Sequence, residues 1–119
     1  MANRIRGVFP FEAGGESYVM QYTANGMCAL EDTTGQTATA FLQGLDAAGE
    51  NLSFRDARLL FWAGLQEHHE GLTLHQAGKI MTALGGIVPA MEMTAQAVQA
   101  SMPEAKTADG AAGNGKAAS

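Results

Sequence analysis

Imidazoles and carboxylates crowd one short stretch of this chain: His68, His69 and His75 are its three histidines, and Glu67 and Glu70 stand beside the first two. These residue types hold zinc when three or four of them converge on one point. The spacing argues against convergence, because neighbouring side chains on a helix diverge by about 100°. Histidines near a helix C-terminus are also stabilised by the macrodipole without any ligand. Structural or surface roles are expected for all three, and no metal site. Cys28 falls inside a helical stretch with no histidine close in sequence, so nothing lowers its pKa or takes its proton, as a nucleophile needs. Glu31 and Asp32 are neighbours that face different ways, and Asp56 has a capping role. Neither Gly14-Gly15 nor Gly85-Gly86 forms a phosphate loop between a strand and a helix. No catalytic, cofactor-binding or metal set is expected, and the protein reads as a non-enzyme.

The elements that would position these residues are written in turn and cap signals. Residues 6–22 predict a β-hairpin, with a first strand at Val8–Glu12 and Pro10 marking an edge position. Gly14-Gly15 supplies the positive-φ turn, and the return strand 17–22 alternates so that Tyr18, Met20 and Tyr22 share a face. Two strands alone are marginal, so helices must cover that face. Thr23 caps a helix over 24–34 ended by Gly35, in which Gly26 allows close approach. A second helix is expected over 38–45, with Gly44, Gly49 and Asn51 marking the loop after it. Ser53 then opens a greasy helix over 54–69, with Asp56 three positions on and Gly71 as its stop. Thr73 and Gln76 form a capping box for a helix over 74–84, and Gly85-Gly86 ends it. The last helix, 87–101, carries a stripe of Ile87, Met91, Ala95, Val98 and Met102, with Pro89 tolerated in its first turn. The fold class is α+β and mostly helical: an N-terminal β-hairpin packed on four to five short helices. One domain over 1–102 is followed by a tail, 103–119, too poor in large apolar residues to offset its own ordering and expected to be disordered.

Composition narrows the function classes. The chain has 119 residues, a formal net charge of −5 and one cysteine. A nucleic-acid surface wants clustered Lys and Arg, whereas Arg4, Arg6, Arg55, Arg58 and Lys79 are scattered along the sequence. No apolar run approaches the ~20 residues of a membrane span. The N-terminal Met1-Ala2-Asn3-Arg4-Ile5-Arg6 lacks a secretory apolar region. A soluble cytoplasmic protein is expected, with no nucleic acid and no membrane among its partners.

What the sequence offers instead is apolar surplus. On a helical wheel, Phe54, Ala57, Leu60, Phe61, Gly64 and Leu65 form one broad arc, which should be core. Leu59 and Trp62 fall on another flank, between Arg55, Arg58 and Gln66. Either a second element such as the hairpin covers that flank, or it is a protein-contact patch, where Trp and Arg are favoured. The Met-bearing stripe of the last helix presents the same choice.

The Gly-Gly hairpin, the run Tyr22-Thr23-Ala24-Asn25-Gly26-Met27-Cys28-Ala29-Leu30-Glu31-Asp32-Thr33-Thr34-Gly35, and then Ser53-Phe54-Arg55-Asp56, Trp62-Ala63-Gly64-Leu65 and Gly71-Leu72-Thr73 resemble the small tail proteins of gene transfer agents and siphophage-like prophages. That family is labelled both tail tube protein and tail assembly chaperone. The order and spacing of the set carry the resemblance, over residues 5 to 86. Two features depart from the pattern: Gly26 where Ala would be expected, and Pro10 within the first strand. The resemblance implies a tail assembly chaperone that binds tape-measure protein during tail morphogenesis and is absent from the finished particle. Tail tube subunits and a second copy of the chain are further expected partners. A structural tail subunit, tube or tail-completion, is the alternative. For the contact surface, the residues expected are Arg55, Arg58, Leu59, Trp62, Met91, Val98 and Met102, receiving apolar helices in a groove.

Overall fold

The structure, a computed structural model, describes residues 7–101. The expected tail and Met102 lie outside the described residues. An antiparallel hairpin of β1 (Phe9–Ala13) and β2 (Glu16–Met20) packs on five helices, α1 (Ala24–Thr34), α2 (Ala38–Ala48), α3 (Phe54–Ala63), α4 (Leu74–Ala83) and α5 (Ile87–Ser101). A single 3₁₀ turn over Gly49–Asn51 leads into α3. The α+β, mostly helical class is as expected. Among the described residues, no helix is long and apolar enough to cross a membrane.

The hairpin turns on Gly14 and Gly15, with φ of 59° and 84°. Two positive values in a two-residue loop match the right-handed strand twist. Ala13 then closes the ladder against Glu16, and Phe11 lies opposite Tyr18 with ring centroids 5.5 Å apart. Pairs alternate between bonded and non-bonded, so Pro10, opposite Val19, sits where a strand N–H points away from the partner. The proline therefore costs no ladder bond. On β2 the outward N–H groups are met from the far side: Val19 donates to His69 Nε2 at 2.9 Å, and Gln21 donates to the Gly64 carbonyl at 2.8 Å. A bare strand edge invites pairing with other chains; this one is covered at Val19 and, just past the strand, at Gln21.

Hydroxyl caps set the helix starts. Thr23, Thr37, Ser53 and Thr73 each accept from the backbone N–H three residues on. Gln76 returns a bond to the Thr73 N–H, completing the expected capping box. Glu31 reaches across to accept from Ala38 N at 2.8 Å, which ties α1 to the start of α2. Helix α2 runs past Gly44 to Ala48, three residues beyond the expected end. A glycine in a helix interior costs only about 1 kcal/mol relative to Ala, and α2 tolerates it.

The largest difference from expectation is in α3, which stops at Ala63 instead of running to 69. The chain leaving the hairpin bonds to carbonyls at the end of the helix. Tyr22 Oη donates to Leu60 O at 2.6 Å, and Gly64 O is occupied by Gln21 N. Past that point the bonds tighten to i→i−3, from Leu65 N to Trp62 O and from Gln66 N to Ala63 O. Glycine is required at position 64, since a Cβ there would come within 2.7–2.9 Å of the Tyr22 ring and Met20. Gly26 answers the same need on α1, where a Cβ would sit 2.5 Å from the Ala63 carbonyl. Its departure from Ala reflects close packing.

Helix α3 is central, packed on α1, α4 and α5, so it is covered on more than one flank. Phe61, Met20, Leu30 and Leu65 are fully buried, and Phe11 meets Phe61 edge-on at 6.2 Å. Thr94 is buried as well, with its hydroxyl donating to Ala90 O at 2.7 Å. Burial pushes the Tyr22 phenol well above its ordinary range, with a bond to Thr94 opposing the shift.

Candidate interaction surface

Helix α5 decides what stays open. Its buried face is Ala90, Thr94 and Ala97, small residues that let the helix lie close on the core. The larger side chains of the predicted stripe are displaced to its margins: Ile87, Met91 and Val98 are half-buried and Ala95 is exposed. Directly outside the stripe, Val88 is 64% exposed.

Phe54 joins Val88 on this side, 74% exposed, which corrects the expectation that it is core. A wheel gives direction around an axis but not coverage along it. Phe54 points the way Phe61 does, yet lies seven residues, about 10 Å, nearer the start of the helix. There its neighbours are Leu52 and Ile87, and the cleft they form is open.

Two recesses meet at Phe54 and Ile87. One, of about 460 Å³, is bounded by Arg55 and Arg58 of α3 and by Gly78, Met81 and Thr82 of α4. The other, of about 650 Å³, runs along Leu52, Val88, Met91 and Ala95, with Glu50 and Glu92 on its rim. Together they make a trough that is apolar along its floor, cationic at the α4 end and acidic at the α5 end. Arg58 Nε is buried with no hydrogen-bond partner among the described residues. Gly78 makes space for this arginine, since a Cβ there would approach Arg58 Cδ to 3.3 Å. An unmatched buried donor costs about 1–3 kcal/mol, a cost the fold carries at this arginine.

The expected contact residues separate in space. Arg55, Arg58 and Met91 line the trough. Leu59 is 7% exposed and belongs to the core. Trp62 is half-buried and packs on that core, with its Nε1–H donating to Leu72 O at 2.8 Å. The Leu59–Trp62 flank is thus covered by its own domain, because the chain beyond α3 folds back over it. Val98 is half-buried against the core and does not line the trough. Phe54, Ile87 and Val88 were missing from the expected surface. The pair Ile87-Val88, two β-branched residues straight after a Gly-Gly stop, was the available signal: both cannot face the core from the first turn.

His68 and His69 tie the segment after α3 to the hairpin, and His75 is exposed on α4. His69, accepting from Val19 and edge-on to Tyr18 at 5.5 Å, is kept below its ordinary pKa by desolvation and then by His68. His68 Nε2 lies 2.8 Å from Gln21 Oε1. Glu67 accepts from Thr23 and Asn25, and those bonds lower its pKa. Among the described residues no three His, Cys, Asp or Glu side chains gather as a metal set, and Cys28 is exposed on α1.

Fold and surface define, among the described residues, a small hairpin-plus-helices unit with an open amphipathic trough at Phe54 and Ile87. Comparison with family models, curated proteins and solved structures found no match.

Proposed function

We propose that this protein is a non-enzymatic tail assembly chaperone. It acts in the cytoplasm of a bacterial host while a gene transfer agent or prophage tail is built. Its client is tape-measure protein, whose apolar helical segments it seats in the Phe54–Ile87–Val88 trough until tube subunits polymerise. The observation that carries this reading is the exposure of Phe54 and Val88 on two different elements flanking one concave strip. Exposed apolar residues bordering a groove suit capture of an amphipathic helix. The resemblance of residues 5–86 to the small tail proteins supports the choice of client.

A structural subunit retained in the particle is the second reading, and it keeps the same family. The described residues hold only a two-stranded sheet, less than a barrel-lined ring requires, which favours the chaperone. Co-expression with the tape-measure product of its own gene cluster tests the proposal. The expected outcome is more soluble tape measure and a complex that co-purifies. Unchanged tape-measure solubility with no complex would overturn it, and a stoichiometric band in mature particles would favour the structural subunit.

A further inference from the structure

Scattered along the sequence, the cationic residues among those described come together in the fold. Within residues 7–101, Lys and Arg occur only as Arg55, Arg58 and Lys79, and all three line two adjoining recesses of α3 and α4. No carboxylate lines either recess. In a chain with net charge −5, this is the described place where a carboxylate is attracted. Glu50 and Glu92 lie across the Phe54–Ile87 ridge, at the other end of the trough.

This arrangement complements itself. Arg58 stands four residues beyond Phe54 along α3, about 6 Å of helix axis, and Glu92 stands five beyond Ile87 along α5, about 7.5 Å. They line the two recesses that share Phe54 and Ile87, one to each recess. A two-fold axis through the ridge therefore lays the cationic end of one copy on the acidic end of the other. Residues near the axis meet their own counterparts, so Phe54 and Ile87 pack on the same pair from the second copy.

We propose that the trough is the contact of a two-fold homodimer, with Arg55 and Arg58 of each copy facing Glu92 of the other. Arg55 and Arg58 both line this end of the trough, and a carboxylate is the partner that a guanidinium fits best. The dimer is the client-free state, and a tape-measure helix entering the same trough displaces the second copy.

Sedimentation equilibrium on the purified full chain, without any tape measure, tests this independently of the chaperone reading. The wild type is expected to show a reversible monomer–dimer equilibrium that weakens with added salt. Arg55→Glu and Glu92→Arg, both at exposed positions, should each weaken self-association roughly tenfold or more through two repulsive contacts. Mixing those two variants should recover much of the association, since the mixed pair keeps one wild-type contact of Arg55 and Arg58 with Glu92 and gains one charge-reversed contact between positions 55 and 92, against a single remaining repulsion at Arg58. Phe54→Ser should weaken the dimer without altering the salt dependence. A protein that stays monomeric at its highest soluble concentration would overturn the proposal. So would a dimer indifferent to these substitutions, or a mixture that fails to restore association.

Discussion

The two long sides of α3 meet opposite fates. On the hairpin side, the segment between α3 and α4 is stitched to β2: His69 and Gly64 take the outward N–H groups of Val19 and Gln21, Tyr22 takes Leu60 O, and Trp62 takes Leu72 O. On the α5 side, Phe54 and Val88 are exposed and Arg58 Nε has no partner. The same helix supplies both. Where the chain returns across α3, these donors find acceptors. Where it does not, apolar area and a cation are left showing, and a partner protein could use them.

Substitutions can break this contrast. The largest effect belongs to the sealed side: Phe61→Ala, which empties a fully buried site, should cost about 3–5 kcal/mol in urea unfolding. Gly64→Ala should follow at about 1–3 kcal/mol, because its new Cβ would press on Tyr22 and Met20. A Gly64→Ala variant as stable as wild type would remove the reason given for glycine at position 64.

The pH dependence is a gentler probe of the same side. His69 accepts from Val19, so it is neutral in the fold and its pKa is depressed from 6.5. The unfolded chain therefore binds more protons as pH falls through that value. His69's contribution to stability should be complete above pH 6.5 and lost as pH drops toward its folded pKa. His69→Gln, which has a carbonyl to accept from Val19, should flatten that part of the profile. An unchanged slope would show that the edge of β2 is held by other groups. The smallest effect belongs to the open side: Phe54→Ser should change stability by no more than about 0.5 kcal/mol. A loss matching Phe61→Ala would erase the difference between the two sides.

The sequence foretold the elements better than their coverage. Cap residues such as Thr23, Gly35, Ser53 and Thr73 act locally, and the helices begin or end where they stand. Gly14-Gly15 likewise dictates its own turn. Phe54 and Phe61 could not be separated, because periodicity gives both one direction and says nothing about which is overlaid. Nor did helical pattern reveal that α3 ends at Ala63, since Tyr22 and Gln21 claim its carbonyls from 38 and 43 residues away. Arg55 and Arg58 were expected at the contact surface, but their meeting with Lys79 depends on how α3 crosses α4. The small face of α5 explains the remaining difference: Ala90, Thr94 and Ala97 are unremarkable in sequence, yet they turn Met91 and Val88 outward.

Photo-crosslinking during co-expression with tape measure tests the central claim most directly. A benzophenone side chain placed at position 88 reports on the open trough, and one at position 17 reports on the exposed face of the sealed hairpin. Adducts with tape measure from position 88 and none from position 17 are predicted. Adducts from position 17 alone, or from neither position, would contradict the account.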